Sequence, residues 1–218
     1  MNEWDIIAEN FDATRRRPWL ECLEFLENIN GICLDIGCGN GRHLLYMADH
    51  CDLAIGVDSS IKMIGVARGN VEKERKKNVL LVNGNACRLP FPDNTFDGVL
   101  FIAALHNIKG RENRLNALRE VKRVLKPERK ALISVWAKWQ DRWRKYFLLH
   151  PLRHGNIYVP WRRGVEVLRF YHLYSMGEFR REIKRAGLFI ERIWSVRKAS
   201  KKYADNHFAV VRKRLADE

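Results

Sequence analysis

Residues 32–41 read ICLDIGCGNG and run straight into RHLLYMA at 42–48. Five strand-favouring residues end on glycines at 37, 39 and 41, and a helix-like stretch follows at once. Glycine accepts positive φ and lets backbone approach a ligand closely, so the pattern predicts a strand, a tight turn over a small molecule, and a helix. A glycine-rich turn alone is weak evidence. Asp58 sharpens it, because it closes the next strand-like run, DLAIGVD at 52–58, about twenty residues after the first glycine, where a carboxylate meets a ribose hydroxyl pair. The dinucleotide fingerprint G-x-G-x-x-G is not met: Arg42 stands at its sixth position counted from Gly37, and the third glycine falls at Gly41. A pyrophosphate is therefore less comfortable here than a nucleoside, which disfavours an NAD-dependent oxidoreductase.

Outward from this stretch, strand-like runs recur at 78–84 (NVLLVNG), 96–102 (FDGVLFI) and 130–136 (KALISVW), separated by helix-like segments. Such alternation predicts an α/β fold with a mainly parallel sheet covered on both faces. Pro18 and the apolar rhythm of WLECLEFLENI predict a helix leading into the first strand, with Gly31 past its end. Leu115, Leu118, Val121, Val124 and Leu125 keep helical spacing between Arg111 and Leu125. Ser175 and Glu178 suit a capping box for GEFRREIKRAG, and LFIERIWSV and HFAVVRKR close the chain as an antiparallel pair, giving seven strands. Residues 137–174 are rich in Arg, Trp, Tyr and His, and Pro151 and Pro160 forbid a long helix there. They are read as an insertion over the sheet's edge within a single domain, 1–218.

The 218 residues carry a net charge of +14, unevenly: −4 over residues 1–100 and +18 over residues 101–218. That asymmetry favours a polyanionic partner. Aromatics lie among the cations (Trp136, Trp139, Trp143, Tyr158, Trp161, Tyr171, Tyr174), so nucleic acid with unpaired bases fits better than a membrane. No run approaches the roughly 20 apolar residues of a membrane span, and the start, MNEWDIIAEN, lacks a signal sequence's apolar stretch. A cytoplasmic protein is expected. The five cysteines (Cys22, Cys33, Cys38, Cys51, Cys87) contain no C-x-x-C pair and read as small buried hydrophobes, with neither structural zinc nor a disulfide framework.

LDIGCGNG, GVDSS at 56–60 and LPFPDNTFDGVLFIAALHN at 89–107, in this order, resemble the motifs of class I S-adenosylmethionine-dependent methyltransferases. The resemblance implies a Rossmann-like fold with S-adenosylmethionine as cofactor. Asp35, Gly37, Cys38 and Gly39 would shape the methionine pocket, Asp58 with Ser59 would bind the ribose, and Asn85, Ala86 and Ile102 would border the adenine. Asn85 stands where the family usually has Asp; its amide oxygen can still accept from the adenine amino group, without charge.

The narrower resemblance is to tRNA methyltransferases that esterify 5-carboxymethyluridine at the wobble position, including the methyltransferase domain of AlkB-type wobble modifiers. It rests on FDATRRRPW at 11–19, His106–Asn107, Val135–Trp136, YVPW at 158–161 and RFYHLYSMGEF at 169–179. It implies tRNA as partner, and a small activator protein covering an exposed apolar surface. His106 would orient the nucleophile, and Arg15 or Arg17 would steer a carboxylate of cofactor or substrate. Trp136 and Trp161 would stack on the target base, while Arg162, Arg163, Arg169 and His172 would contact backbone phosphates. Two alternatives stay open from the residues alone: a methyltransferase for a small quinone or lipid precursor, and a noncatalytic RNA-binding protein of the same fold.

Overall fold

The computed structural model describes residues 2–215. The strands are β1 (Ile32–Ile36), β2 (Leu53–Asp58), β3 (Val79–Asn83), β4 (Phe96–Ile102), β5 (Leu125–Trp136), β6 (Asn156–Arg163), β7 (Val165–His172), β8 (Phe189–Val196) and β9 (Asn206–Arg212). The helices are α1 (Glu3–Asp12), α2 (Leu20–Leu26), α3 (Arg42–Met47), α4 (Ile61–Lys73), α5 (Arg111–Val124), α6 (Arg144–Leu149) and α7 (Met176–Arg185). Seven strands form one sheet in the order β3-β2-β1-β4-β5-β9-β8. The first five run parallel, and β9 is antiparallel to both β5 and β8. This is the expected Rossmann-like α/β sheet with its C-terminal antiparallel pair.

Strand side chains alternate between faces, so the two halves of each buried run feed two cores. Leu34, Ile36, Val99 and Phe101 pack with Leu118 and Val121 of α5 and Phe179 and Ile183 of α7. Cys33, Leu100 and Ile102 pack on the other side with Leu26 of α2 and Leu44 and Met47 of α3. Burying each such Leu, Ile or Phe contributes about 1.5–3 kcal/mol, so the two clusters hold the central strands on both faces.

Helix α1 has a reciprocal cap: Asn2 Oδ1 accepts from the N–H groups of Trp4 and Asp5, and Asp5 Oδ2 accepts from the N–H of Asn2. Its inward stripe of Trp4, Ile7, Ala8 and Phe11 packs with Met63 of α4 and Trp161 of β6. Segment 137–174 departs from expectation. It holds α6 and an antiparallel hairpin, β6–β7, which lies with α1 over the C-terminal ends of the parallel strands rather than over the sheet's edge. The capping box of α7 is half formed: Ser175 Oγ accepts from the N–H of Glu178, while the Glu178 carboxylate turns to His172.

Four of the five cysteines are buried as expected. Cys33 and Cys51, however, are joined as a disulfide tying β1 to the turn before β2, with Cα atoms 6.3 Å apart. The reading of all five as small buried hydrophobes is corrected for this one pair: two residues 18 apart in sequence meet because β1 and β2 are adjacent parallel strands, while Cys22, Cys38 and Cys87 are free. Among the described residues, no helix is long and apolar enough to cross a membrane.

Candidate active site

In parallel α/β sheets, ligands bind beyond the carboxyl ends of the strands, where the strand order reverses. Here that point lies between β1 and β4, and a cavity of about 410 Å3 opens there. Its size is in the range of small-molecule sites.

The glycine turn forms one wall. The N–H groups of Gly37 and Cys38 both donate to the carbonyl of Val57, at 2.7 and 3.1 Å, which binds the turn to the end of β2. Gly37, Gly39 and Gly41 all have positive φ. A Cβ at Gly37 would collide with that of Ala104, whereas one at Gly39 would project toward Phe11, 3.8 Å away across the crevice. The backbone at Gly39 is therefore uncovered on the crevice side.

Asp58 joins the turn to α4: one carboxylate oxygen accepts from the N–H of Gly39 at 2.9 Å, the other from the N–H of Ser60 at 2.9 Å. Burial raises its pKa, opposed by these backbone bonds. Each oxygen keeps a lone pair for a hydroxyl group. Ser59, Asn85, Ala86 and Ile102 also line the cavity. The Asn85 oxygen accepts from the N–H of Cys87 at 2.9 Å, leaving one lone pair for a base amino group.

Asp35 does not line this cavity. It is 1% exposed, beneath the turn, with one oxygen lacking a hydrogen-bond partner. Burial pushes its pKa up to about 8 despite the nearby positive charge of Arg42. The expectation that Asp35 touches the cofactor gives way to a buried position supporting the turn.

The opposite wall is aromatic. The rings of Trp136 and Tyr171 stack 4.5 Å apart, and His106 lies 5.5 and 5.4 Å from them. Arg169 is buried, its guanidinium 5.4, 5.0 and 5.2 Å from the rings of Trp4, Trp161 and Tyr171. It lines the cavity with no carboxylate paired to it among the described residues, so a cation caged by ring faces looks into the site. Desolvation first, and then the charges of His172 and Arg169, push the His106 pKa down to about 3. Its ring is neutral.

Other expected residues separate here. Arg15 lines the cavity mouth; Arg17 is exposed in an adjoining groove. Trp161 is 6% exposed and packs against α1, so it is closed to a base. Arg169, buried, is withdrawn from the surface a phosphate backbone would touch. His172 is also buried, held between Asn156 and Glu178 at 2.8 and 2.9 Å, and serves to bolt β7 to α7. Arg162 and Arg163 are exposed on the hairpin, with Arg162 3.6 Å from Glu166. Sequence reading missed Trp4, Phe11, Asn107 and Tyr171 as cavity residues. Trp4 and Phe11 carried a signal, an i, i+7 apolar pair following a capping Asn2.

These residues fit S-adenosylmethionine. Were it bound, the free lone pairs of Asp58 would hold the ribose hydroxyls, the bare backbone at Gly39 would admit close approach, and Asn85 would offer an amide oxygen to the adenine. Residues 34–133 match the family model described as a methyltransferase domain. A curated methyltransferase of Encephalitozoon cuniculi is 34% identical over 176 residues, covering 79% of this chain and 79% of that protein. The tRNA (carboxymethyluridine(34)-5-O)-methyltransferase of Schizosaccharomyces pombe is 30% identical over 212 residues, covering 84% of this chain and 86% of the relative. In a solved complex between the Haloferax volcanii Trm112 methyltransferase activator and a methyltransferase, a chain 16% identical superimposes with a TM-score of 0.72 over 99% of both chains, a likeness of fold. On the sheet order, the glycine turn with Asp58, and these similarities, the chain belongs to the class I S-adenosylmethionine-dependent methyltransferases.

Proposed function

We propose that this enzyme methylates the carboxylate of 5-carboxymethyluridine at the tRNA wobble position, giving the methyl ester. The observation that carries the reading is the wall facing the cofactor turn: half-buried Trp136, backed by the buried ring of Tyr171, stands beside the caged Arg169, a planar apolar face next to a cation without a carboxylate partner among the described residues. It suits a flat base bearing an anion. The name of the Schizosaccharomyces pombe relative supports the same substrate.

When bound, S-adenosylmethionine supplies an electrophilic methyl group. A carboxylate, with a reference pKa of about 4, is already ionised near neutrality, so the protein need not remove a proton. Its task is to hold the acceptor in line and exclude water. His106 accepts the N–H of Trp136 at Nδ1, which leaves Nε2–H as its donor for orienting the carboxylate. Arg169 attracts the same anion, but its charge is shared with three ring faces, so it steers without forming the tight ion pair that would blunt the nucleophile. Arg15 serves the mouth of the site, and Arg17, exposed in the adjoining groove, is a candidate for RNA phosphates. A small activator protein is a proposed partner, by analogy with the complexed Haloferax volcanii chain.

Nucleoside mass spectrometry tests this. Purified protein, with and without a candidate activator, is incubated with tRNA carrying uridine or 5-carboxymethyluridine at the wobble position. Methyl ester only from the carboxymethylated tRNA is expected; methylation of both tRNAs, or of neither under any condition, would exclude the assignment.

A further inference from the structure

Beside the cofactor crevice lies a larger groove of about 1000 Å3. Its walls come from the linker between α1 and α2 (13–19), residues 140–142 and the loop after β8 (198–201). The cavities are continuous, since Arg15, Trp19, Arg42 and Trp136 line both.

The groove is strongly cationic. Arg15, Arg16, Arg17, Arg142, Lys198 and Lys201 line it, all exposed. Of these, Lys198 has a carboxylate partner, Glu21, at 2.8 Å. Two acids, Asp141 and Asp205, also belong to the lining, but their oxygens are engaged by backbone. Asp205 accepts from the N–H groups of Lys198, Ala199 and Ser200 at 2.7–2.9 Å and from the Ser200 hydroxyl. Asp141 accepts from those of Lys201, Lys202 and Tyr203 at 2.8–3.0 Å. The acids thus fold the loop that presents lysines to the groove, and their charge offsets only part of the cationic excess. By contrast, Arg162 and Arg163 line neither cavity, Arg162 faces Glu166, and the adjacent Trp161 is buried.

We propose that this groove, not the β6–β7 hairpin, carries the phosphodiester backbone of the RNA strand flanking the methylated nucleotide. The strand enters past Arg15, and the target base leaves its stack at Trp136, where groove and crevice join. The proposal rests on the RNA-substrate reading. Its physical basis is that a base reached in a crevice must be splayed out of an unpaired segment, and that flanking phosphates are then held by cations on flexible stems.

The test compares the full-length protein with R16A/R142A/K201A and with R162A/R163A. The probe is a fluorescent anticodon stem-loop RNA carrying 5-carboxymethyluridine, titrated by anisotropy over a range of salt. The groove variant should lower the slope of log Kd against log salt by about 2, from three lost phosphate contacts on a single strand. It should raise KM for tRNA at least tenfold while leaving kcat and calorimetric S-adenosylmethionine affinity as in wild type, and R162A/R163A should leave the slope unchanged. An unchanged slope in the groove variant, a loss carried by the hairpin variant, or salt-insensitive RNA binding by wild type would overturn the proposal. So would groove substitutions that spare RNA binding but abolish association with an acidic protein. If the slope falls as expected but no ester forms, the groove stands and the carboxylate reading fails. If ester forms with equal KM in all three proteins, the reverse holds.

Discussion

The backbone N–H of Trp136, at the end of β5, donates to Nδ1 of His106, just beyond β4, over 3.1 Å. A ring nitrogen that accepts is unprotonated, so the neutral imidazole carries its proton on Nε2. Two adjacent strand ends thereby set a tautomer. In the proposed reaction His106 is therefore a donor and not a base.

Replacing it should show this. His106→Ala is expected to lower kcat by about 100-fold, the cost of a misplaced reactant, with S-adenosylmethionine affinity within twofold of wild type. Because the His106 pKa is about 3, the wild-type rate of the chemical step should be flat between about pH 6 and 9. Single-turnover kinetics and calorimetry provide the readouts. A rise in rate near pH 7 would show a general base instead.

Asp58 spends one lone pair of each oxygen on backbone N–H groups. Asp58→Asn puts an amide NH2 where one of those donors already points, so it should fare no better than Asp58→Ala. Both are expected to weaken S-adenosylmethionine binding at least 100-fold, as loss of charge-assisted hydrogen bonds at about 1.5–3 kcal/mol each implies. Calorimetry giving an unaltered Kd for the asparagine variant would remove Asp58 from the site.

Gly37 and Gly39 share positive φ but not surroundings. Gly37→Ala drives a methyl group into Ala104 and should lower the melting temperature by well over what left-handed backbone alone costs. Gly39→Ala should cost stability only about 1–2 kcal/mol from its backbone while cofactor affinity falls more than tenfold. Thermal melts and calorimetry on the pair separate the roles; equal loss of stability in both would contradict the difference.

Stability should fall in acid. Burial pushes His106 down to about 3 and His207 down to about 4, against about 6.5 in an unfolded chain. The unfolded state then binds more protons between these values, so the histidine contribution is full above about pH 6.5 and is lost as pH falls toward 4. Asp35, raised to about 8, has the opposite sign: its contribution is full below about pH 4 and lost as pH rises through about 8. Melting temperatures of His207→Gln should decline less steeply than wild type from pH 6.5 to 4. Asp35→Asn should gain on wild type from pH 4 to 8. Parallel curves for either variant would refute its buried titration.

The sheet and the cofactor turn were legible because both are local. A buried parallel strand is a run of apolar residues, and three spaced glycines followed by Asp58 record backbone demands directly. The wall proposed for the substrate was only partly legible. His106 and Trp136 follow strands that end at the crevice, but the partners that define them, Tyr171 and Arg169, arrive from a hairpin folded back across the molecule. Nothing in RFYHLYSMGEF separates Arg169, which faces the cavity, from His172, which bolts two elements together, because that depends on tertiary packing. Trp161 misled for the same reason: its place under α1 depends on a helix whose inward stripe finds its partners only at long range.

The most direct measurement is the fate of a labelled methyl group. The enzyme would transfer isotopically labelled methyl from S-adenosylmethionine to 5-carboxymethyluridine tRNA, and the product would then be treated with mild alkali. Transfer to the carboxylate predicts that the label leaves as methanol and 5-carboxymethyluridine is regenerated. Label that stays on the nucleoside after alkali, on a ring or ribose atom, would contradict the account.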